Sequence, residues 1–372
     1  MLGCGGRKRL KWLFCPLGSS VAIFRSDSRF CSVLFRGGKI EIGGTRADPV
    51  VESEGLMPSS SLVSILINNY NYGHFLKDAI DSALCQTYAN IEVIVVDDGS
   101  TDNSREVIDG YGSQVVPVLK ENGGQASAFN AGFAASKGQW IFLLDSDDLF
   151  LPQKIQRVLQ LADQNPGVGM IVHNLEYCGV DGKPIVFDAP VIAQQKLVDG
   201  RKSVRQGKVS MLFPATSALC FQREVLHQML PMPEEIRITA DNYLKIAALL
   251  YSPVLATPEN LARQRIHGAN AYTCTPLEAA GEARELRRAV VNAQVGFHLI
   301  KRHPLLRKLI CKQYGHILYR LLSAKSEKAG EVRSHVKSHY SVVNSSPLCL
   351  IYVAGAFTKA FVKGFMGTKV HA

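Results

Sequence analysis

Several common signatures are missing from this sequence, and each absence removes a class of protein. The nine cysteines form no C-x-x-C pair, which excludes a zinc-finger spacing and a small disulfide framework and points to a reducing compartment. No G-x-G-x-x-G follows the first strand-like stretch and no G-x-x-x-x-G-K-[ST] occurs, so the usual dinucleotide and ATP phosphate loops are absent. No apolar run approaches the roughly 20 residues that a membrane-spanning helix needs. Acids are scarce near the start: up to Lys39 there is one, Asp27, against eight Lys/Arg.

What is present describes a globular chain. It has 372 residues, 47% hydrophobic and 20% charged, enough for one large domain or two ordinary ones. The net charge of +10 is unevenly spread. Residues 1–60 hold 9 Lys/Arg and 5 Asp/Glu (+4), residues 61–270 hold 17 and 22 (−5), and residues 271–372 hold 16 and 5 (+11). A basic tail suits nucleic acid or an anionic membrane surface equally well by charge alone.

We expect 1–60 to be a poorly structured extension. Its composition is that of a transit peptide, and "MPSSSLVSILI" at Met57 reads as a natural beginning that leaves 1–56 dispensable or untranslated. From 62 the pattern becomes regular. Strands are expected at 62–67, 91–96, 115–119 and 140–144, with helices near 74–87, 103–111 and 125–137 between them. The first helix has Leu76, Ile80, Ala83 and Leu84 on one face. Strand alternating with helix implies right-handed crossovers and a parallel sheet covered on both faces. A helix at 152–165, short strands over 168–192, a strand near 218–222 and a helix at 240–250 follow. The basic tail reads as helical over 284–302 and 305–324, with an apolar segment, "PLCLIYVAGAF", at 347–357.

Sheets of this kind bind ligands beyond the carboxyl ends of their strands. Three strands end there in polar clusters: "NNYN", "DDGS" and "DSDD". In "IFLLDSDD" a buried strand runs straight into three carboxylates, which repel one another unless something positive sits among them. Two carboxylates one residue apart suit a hard divalent cation that keeps places open for phosphate oxygens. "ENGGQ" adds two adjacent glycines, where backbone can approach a ligand closely.

In this order Y-N, D-D-G-S, N-G-G and D-x-D resemble glycosyltransferase family 2. The likeness is close over 62–150 and looser to about 270. Asn68 stands where the family often has proline, a difference expected to change little. The resemblance implies a GT-A nucleotide-diphospho-sugar transferase fold, Rossmann-like with a mainly parallel sheet, over 61–270, and leaves 271–372 as a basic helical extension. It implies an inverting transfer of sugar from a nucleotide-sugar donor, most simply a UDP-sugar, assisted by Mn or Mg. It assigns Tyr70, Asp97, Asp98 and Gly124 to the nucleotide and Asp145 and Asp147 to the metal and diphosphate. "RITADNYLKI" matches the family's E-D pair with Ala240 for the Glu, which makes Asp241 the base, with Glu234 and Glu235 next in line. "RQRIHGAN" brings His267 to the metal or diphosphate.

A saccharide or lipid-linked acceptor and a role in envelope polysaccharide synthesis accord with the family, as does a cytoplasmic location. The +11 tail leads us to expect peripheral contact with the inner membrane face, the alternative being that 347–357 packs on the domain as a core helix with the basic residues solvated; no nucleic acid is expected. Two other readings remain: a GT-A relative that binds without turnover, and a sugar-phosphate nucleotidyltransferase. The second lacks the glycine-rich Arg/Lys loop it needs after the first strand.

Overall fold

The computed structural model describes residues 21–26, 29–36, 39–42, 61–187, 189–209, 211, 213–268, 270, 281–323 and 350–358. The chain divides into two units, one ending at Met57 and one beginning at Pro58. In the first, where the sequence suggested a poorly structured extension, three strands form: β1 (Val21–Ser26), β2 (Arg29–Arg36) and β3 (Lys39–Ile42). They make an antiparallel sheet in that order. Their Val, Ile and Phe content favours strands without any clear alternation to announce them. The transit-peptide stretch before residue 21 and the Met57 start lie outside the described residues.

The second unit opens with β4 (Val63–Asn69), α1 (Gly73–Leu84), β5 (Ile91–Asp98), α2 (Ser104–Asp109), β6 (Val116–Lys120), α3 (Gln125–Ala135) and β7 (Trp140–Asp145). The strands stand in the order β7-β4-β5-β6, all parallel. Side chains alternate across β4. Val63, Ile65 and Ile67 join a core with Leu76, Ala79, Ile80 and Ala83 of α1, while Leu66 joins Val96 of β5 and Phe129 of α3 on the other face. Full burial of Leu76 or Ile80 contributes about 1.5–3 kcal/mol each, so the helical periodicity read from the sequence is what anchors α1.

β8 (Leu149–Phe150), α4 (Lys154–Gln164), β9 (Met170–Cys178), β10 (Lys196–Val198), α5 (Arg201–Arg205), β11 (Leu219–Gln222), α6 (Arg223–Met229), α7 (Ala240–Tyr251) and β12 (Val254–Arg265) follow. They extend the sheet as β10-β12-β9-β11-β7, with β8 on β12. Here the mainly parallel expectation needs correcting. β11 runs antiparallel to both β7 and β9, and only β12 and β9 pair in parallel. These strands are joined by loops and short helices rather than by successive crossovers, so the sheet is mixed.

The C-terminal helices α8 (Gly281–Arg302) and α9 (Arg307–Ser323) share the core of α7. Val291, Leu299, Ile310 and Tyr314 are buried in one cluster with Tyr243 and Leu244. A further helix spans 350–358; Lys359 and Lys363, which follow that apolar segment, lie outside the described residues. Among the described residues no helix is long and apolar enough to cross a membrane.

His303, just past α8, fastens this region to α7. Its Nε2 lies 2.8 Å from the Tyr243 hydroxyl and its Nδ1 2.7 Å from that of Tyr251. Burial, and then the neighbouring Arg302, push the His303 pKa down to about 4. An unfolded histidine titrates near 6.5. Between those values the unfolded chain therefore takes up a proton that the folded chain refuses. The stabilisation is complete above about pH 6.5 and is lost as pH falls toward 4. His303→Gln should melt lower than the native chain at pH 7.5, and the gap should narrow at pH 5. Melting curves at the two values check this; an unchanged gap would mean that His303 carries no such linkage.

Candidate active site

β4, β5 and β7 end side by side, and the register sets their polar ends in a row. Asn68 pairs with Asp145 across one flank, and Asn69 pairs with Asp97 across the other. Beyond this rim lies a cavity of about 750 Å³, within the range of small-molecule sites. Asn68, Tyr70, Tyr72, Asp98, Asn122 and Gly124 line one part, and Asp145, Asp147 and Thr216 another. Arg237 to Thr239, Asp241, Lys245 and Asn292 line it as well, and Asp241 and Lys245 act on the charge of Asp145.

The two acids of "DDGS" do different work. Asp97 is buried and does not line the cavity. It accepts from Asn69 Nδ2 (3.0 Å), Ser100 N (3.1 Å) and Arg105 Nε (3.0 Å). Burial alone would raise its pKa, but Ser100, Arg105 and Asn69 together hold it below the ordinary value. Asp97 thus braces the loop and does not line the cavity, although the sequence assigned it to the nucleotide. Asp98 does face the cavity and accepts from Lys120 Nζ (2.7 Å), Gly123 N (2.9 Å) and Gly124 N (2.7 Å).

The glycine pair also acts differently from expectation, because its amides point at Asp98. Gly124 has φ +87°, and a Cβ there would stand 2.7 Å from the Arg237 Cα. The amides of Gln125 and Ala126, which open α3, donate to the carbonyls of Arg237 and Ile236. The loop leading to α7 is thereby locked onto the start of α3.

The acidic turn after β7 is held from below. Asp148 is buried, and its oxygens accept from Ser217 Oγ (2.6 Å) and Arg265 N (3.0 Å). Ser217 Oγ in turn accepts from Asp145 N (3.1 Å), while the Ser217 carbonyl accepts from the buried Lys154 Nζ (2.6 Å). Burial pushes Lys154 down to about 7. Asp148 is raised by burial and then by Asp147 and Asp145. Oxygens of Asp145, Asp147 and Asp148 converge within 4.8 Å, but with both its oxygens engaged Asp148 belongs to the scaffold. Asp145 is pushed up to about 8 by burial, then by Asp147 and Asp241.

His267 Nε2 lies 3.0 Å from Asp147 Oδ2, and Asn270 Nδ2 lies 3.3 Å from the same oxygen. The structure therefore brings His267 to Asp147, packed against Tyr72 and Phe75, rather than into the group of three convergent carboxylates.

Asp241 sits in the first turn of α7, where Lys245 Nζ lies 2.5 Å from its Oδ2. Thr239 before it holds a left-handed φ of +53°, which costs a non-glycine residue about 1–2 kcal/mol. Glu234 and Glu235 are exposed and off the cavity.

Sequence reasoning missed Tyr72, Thr216, Lys245 and Asn292. Tyr72 had a signal, one position beyond the Y-N pair, and Lys245 lies one helical turn after Asp241 in the same quoted stretch; Thr216 and Asn292 come from segments without a motif. Asn68 also departs from expectation. Its amide N and O are buried and find no protein partner among the described residues, a cost of about 1–3 kcal/mol per group.

Comparison with known proteins accords with this geometry. By fold, the chain is a GT-A glycosyltransferase. It is similar to S. aureus TarS 1-349 in structures holding UDP and UDP-GlcNAc, with TM-scores of 0.54 and 0.55 and 14% identity. The likeness covers 80% of this chain in both cases, and 88% and 89% of TarS 1-349 respectively. The chain belongs to the family described as glycosyl transferase family 2, whose model matches residues 64–229. It is 40% identical over 214 residues to an uncharacterised glycosyltransferase of Nostoc sp., covering 56% of this chain and 66% of that one. It is 33% identical over 233 residues to another from Rickettsia prowazekii, covering 61% and 70%. The matched region thus spans about two thirds of these curated relatives.

Ser217→Ala should leave the buried Asp148 oxygen and the Asp145 amide without a partner, costing about 1–3 kcal/mol of stability. Denaturant titration beside Ser217→Thr, which keeps the hydroxyl, measures this; equal losses in both would show that the hydroxyl is not what holds the turn.

Proposed function

We propose that this glycosyltransferase moves a sugar, with inversion, from a nucleoside diphosphate donor to an acceptor hydroxyl. The observation that carries the reading is that Asp145, Asp147 and Asp241 line one cavity, while Asp97, Asp98 and Asp148 are engaged by the protein's own donors. The nucleoside lies against Tyr70, Asp98 and Gly124, with the half-exposed Tyr70 ring as a platform for the base. Asp97 supports that subsite from behind. Because UDP and UDP-GlcNAc are bound in the TarS structures, UDP-sugars are the donors to try first.

The residues present fit a divalent cation, Mn or Mg. The carboxylate oxygens of Asp145 and Asp147 are hard ligands in close convergence, and Asp145 is raised by burial first and then by the negative charge of Asp147 and Asp241. When bound there, such a cation supplies counter-charge to the departing diphosphate. His267 serves this end of the site through Asp147. Asp241 takes the acceptor hydroxyl's proton as the oxygen bonds to the anomeric carbon. The bond from that carbon to the diphosphate oxygen breaks on the opposite face, its electron pair leaving with the nucleoside diphosphate. Lys245 fixes the orientation of the Asp241 carboxylate.

The acceptor in this reading is a saccharide or a lipid-linked sugar of the cell envelope. The +11 carried by 271–372 keeps the enzyme peripherally at the inner face of the membrane.

UDP binding followed by calorimetry should weaken at least about tenfold when Mn is replaced by EDTA, and likewise in Asp147→Ala. Equal affinity in all three samples would remove the cation from the site.

Asp241→Asn should cut transfer by about 10²–10⁴-fold, the usual cost of losing a general base, with donor affinity nearly unchanged. Retention of more than about a tenth of the native rate would place the base elsewhere.

A further inference from the structure

Basic residues far apart in sequence meet on one face of the second unit. α5 and the turn after it pack on α9 and on the short helical turn Pro304–Leu306. At their contact Gly207 leaves no room for a side chain, since a Cβ there would stand 3.0 Å from Lys308 Cγ and 3.1 Å from Lys312 Cδ. Lys312 Nζ lies 3.4 Å from the carbonyls of Gln206 and Gly207. On its other side Lys308 reaches the 350–358 helix, with Nζ 5.1 Å from the Tyr352 ring centroid. Lys308 therefore joins α5 to that helix.

The charge here is nearly all of one sign. Arg201, Lys202, Arg205 and Lys208 lie on the α5 side, and Arg307, Lys308 and Lys312 on α9. The nearby acid, Asp199, is paired with Arg201. Exposed apolar side chains lie on the elements that pack against these basic ones. Leu305 is 54% exposed, at i−3 from Lys308, and Ile351 is 63% exposed. The 350–358 helix turns Val353 and Ala356 inward and leaves Leu350, Ile351, Ala354 and Gly355 outside, with no charged residue along its length.

Cations and exposed apolar side chains on elements packed together match an anionic bilayer surface, which accepts charge at its headgroups and apolar groups just below them. A nucleic acid backbone would use the cations but offers nothing to Leu305 or Ile351. We propose that the α5–α9–350–358 face is the surface through which this protein docks on an anionic lipid membrane. This deepens the peripheral-membrane reading above and rests on it. It differs in placing α5, outside the basic C-terminal region, at the centre of the contact.

The test is co-sedimentation of the full chain with phosphatidylcholine vesicles, with and without phosphatidylglycerol. Three chains are compared: native, Lys202→Glu/Arg205→Glu/Lys208→Glu, and Ile351→Ser. The native chain should pellet with the anionic vesicles alone and be released by high salt. The triple variant should lose at least about a hundredfold in partitioning, at about fivefold for each charge removed. Ile351→Ser, which changes no charge, should weaken binding without altering its salt dependence. Melting curves matching the native chain's confirm that the variants fold.

Failure of the native chain to bind any vesicle would overturn the membrane reading itself. Native binding that survives the triple variant would overturn this face while leaving the reading intact. Tighter binding to a DNA or RNA oligonucleotide than to the vesicles, abolished by the triple variant, would make the face a nucleic-acid surface instead.

Discussion

The serine hydroxyl beneath the acidic turn is the contact on which the site depends. Ser217 Oγ gives its proton to Asp148 and receives the amide hydrogen of Asp145, so one atom sets both ends of D-S-D-D. Its own backbone is tied by a lysine that reaches through the core from α4. Packing alone could not do this, because three carboxylates in four residues repel one another and would spread the turn. Directed hydrogen bonds under it decide which of them are used up internally and which face the cavity.

The same partition runs along the whole rim. Asp97 is spent on Asn69, Ser100 and Arg105, and Asp98 on Lys120 and two glycine amides. A row of five acids is thereby reduced to two, Asp145 and Asp147, that confront the cavity without a lysine or arginine bound to them in the ion pairs of the described residues. His267 leans on the second. Acidity at a strand end does not by itself mark a ligand group; the donors surrounding each carboxylate decide.

Much of this was legible in the sequence. The apolar run of β4 and the helical spacing of α1 reflect burial on both faces of a sheet, and such patterns survive in any single sequence. The N-terminal half of the fold and the location of the site at the strand ends follow from them. The mixed order of β9 to β12 was not legible, because loops there replace the crossovers that make topology readable. The different duties of Asp97 and Asp98 were hidden as well. They are adjacent and chemically identical, and only the pleat, which turns one inward and the other to the cavity, separates them. The part played by α8, which brings Asn292 to the cavity, depends on contacts between distant segments that leave no local pattern.

One close approach has a further consequence. Gly124 presses against the backbone of Arg237, and the amides that follow it bind the carbonyls of residues 236 and 237. The loop beside Asp98 and the loop that leads into the helix of Asp241 are thus a single joint made from two distant pieces of chain. A side chain at 124 would displace the partner loop, and the separation of Asp98 from Asp241 would change with it. The spacing of these two carboxylates is therefore set at one contact.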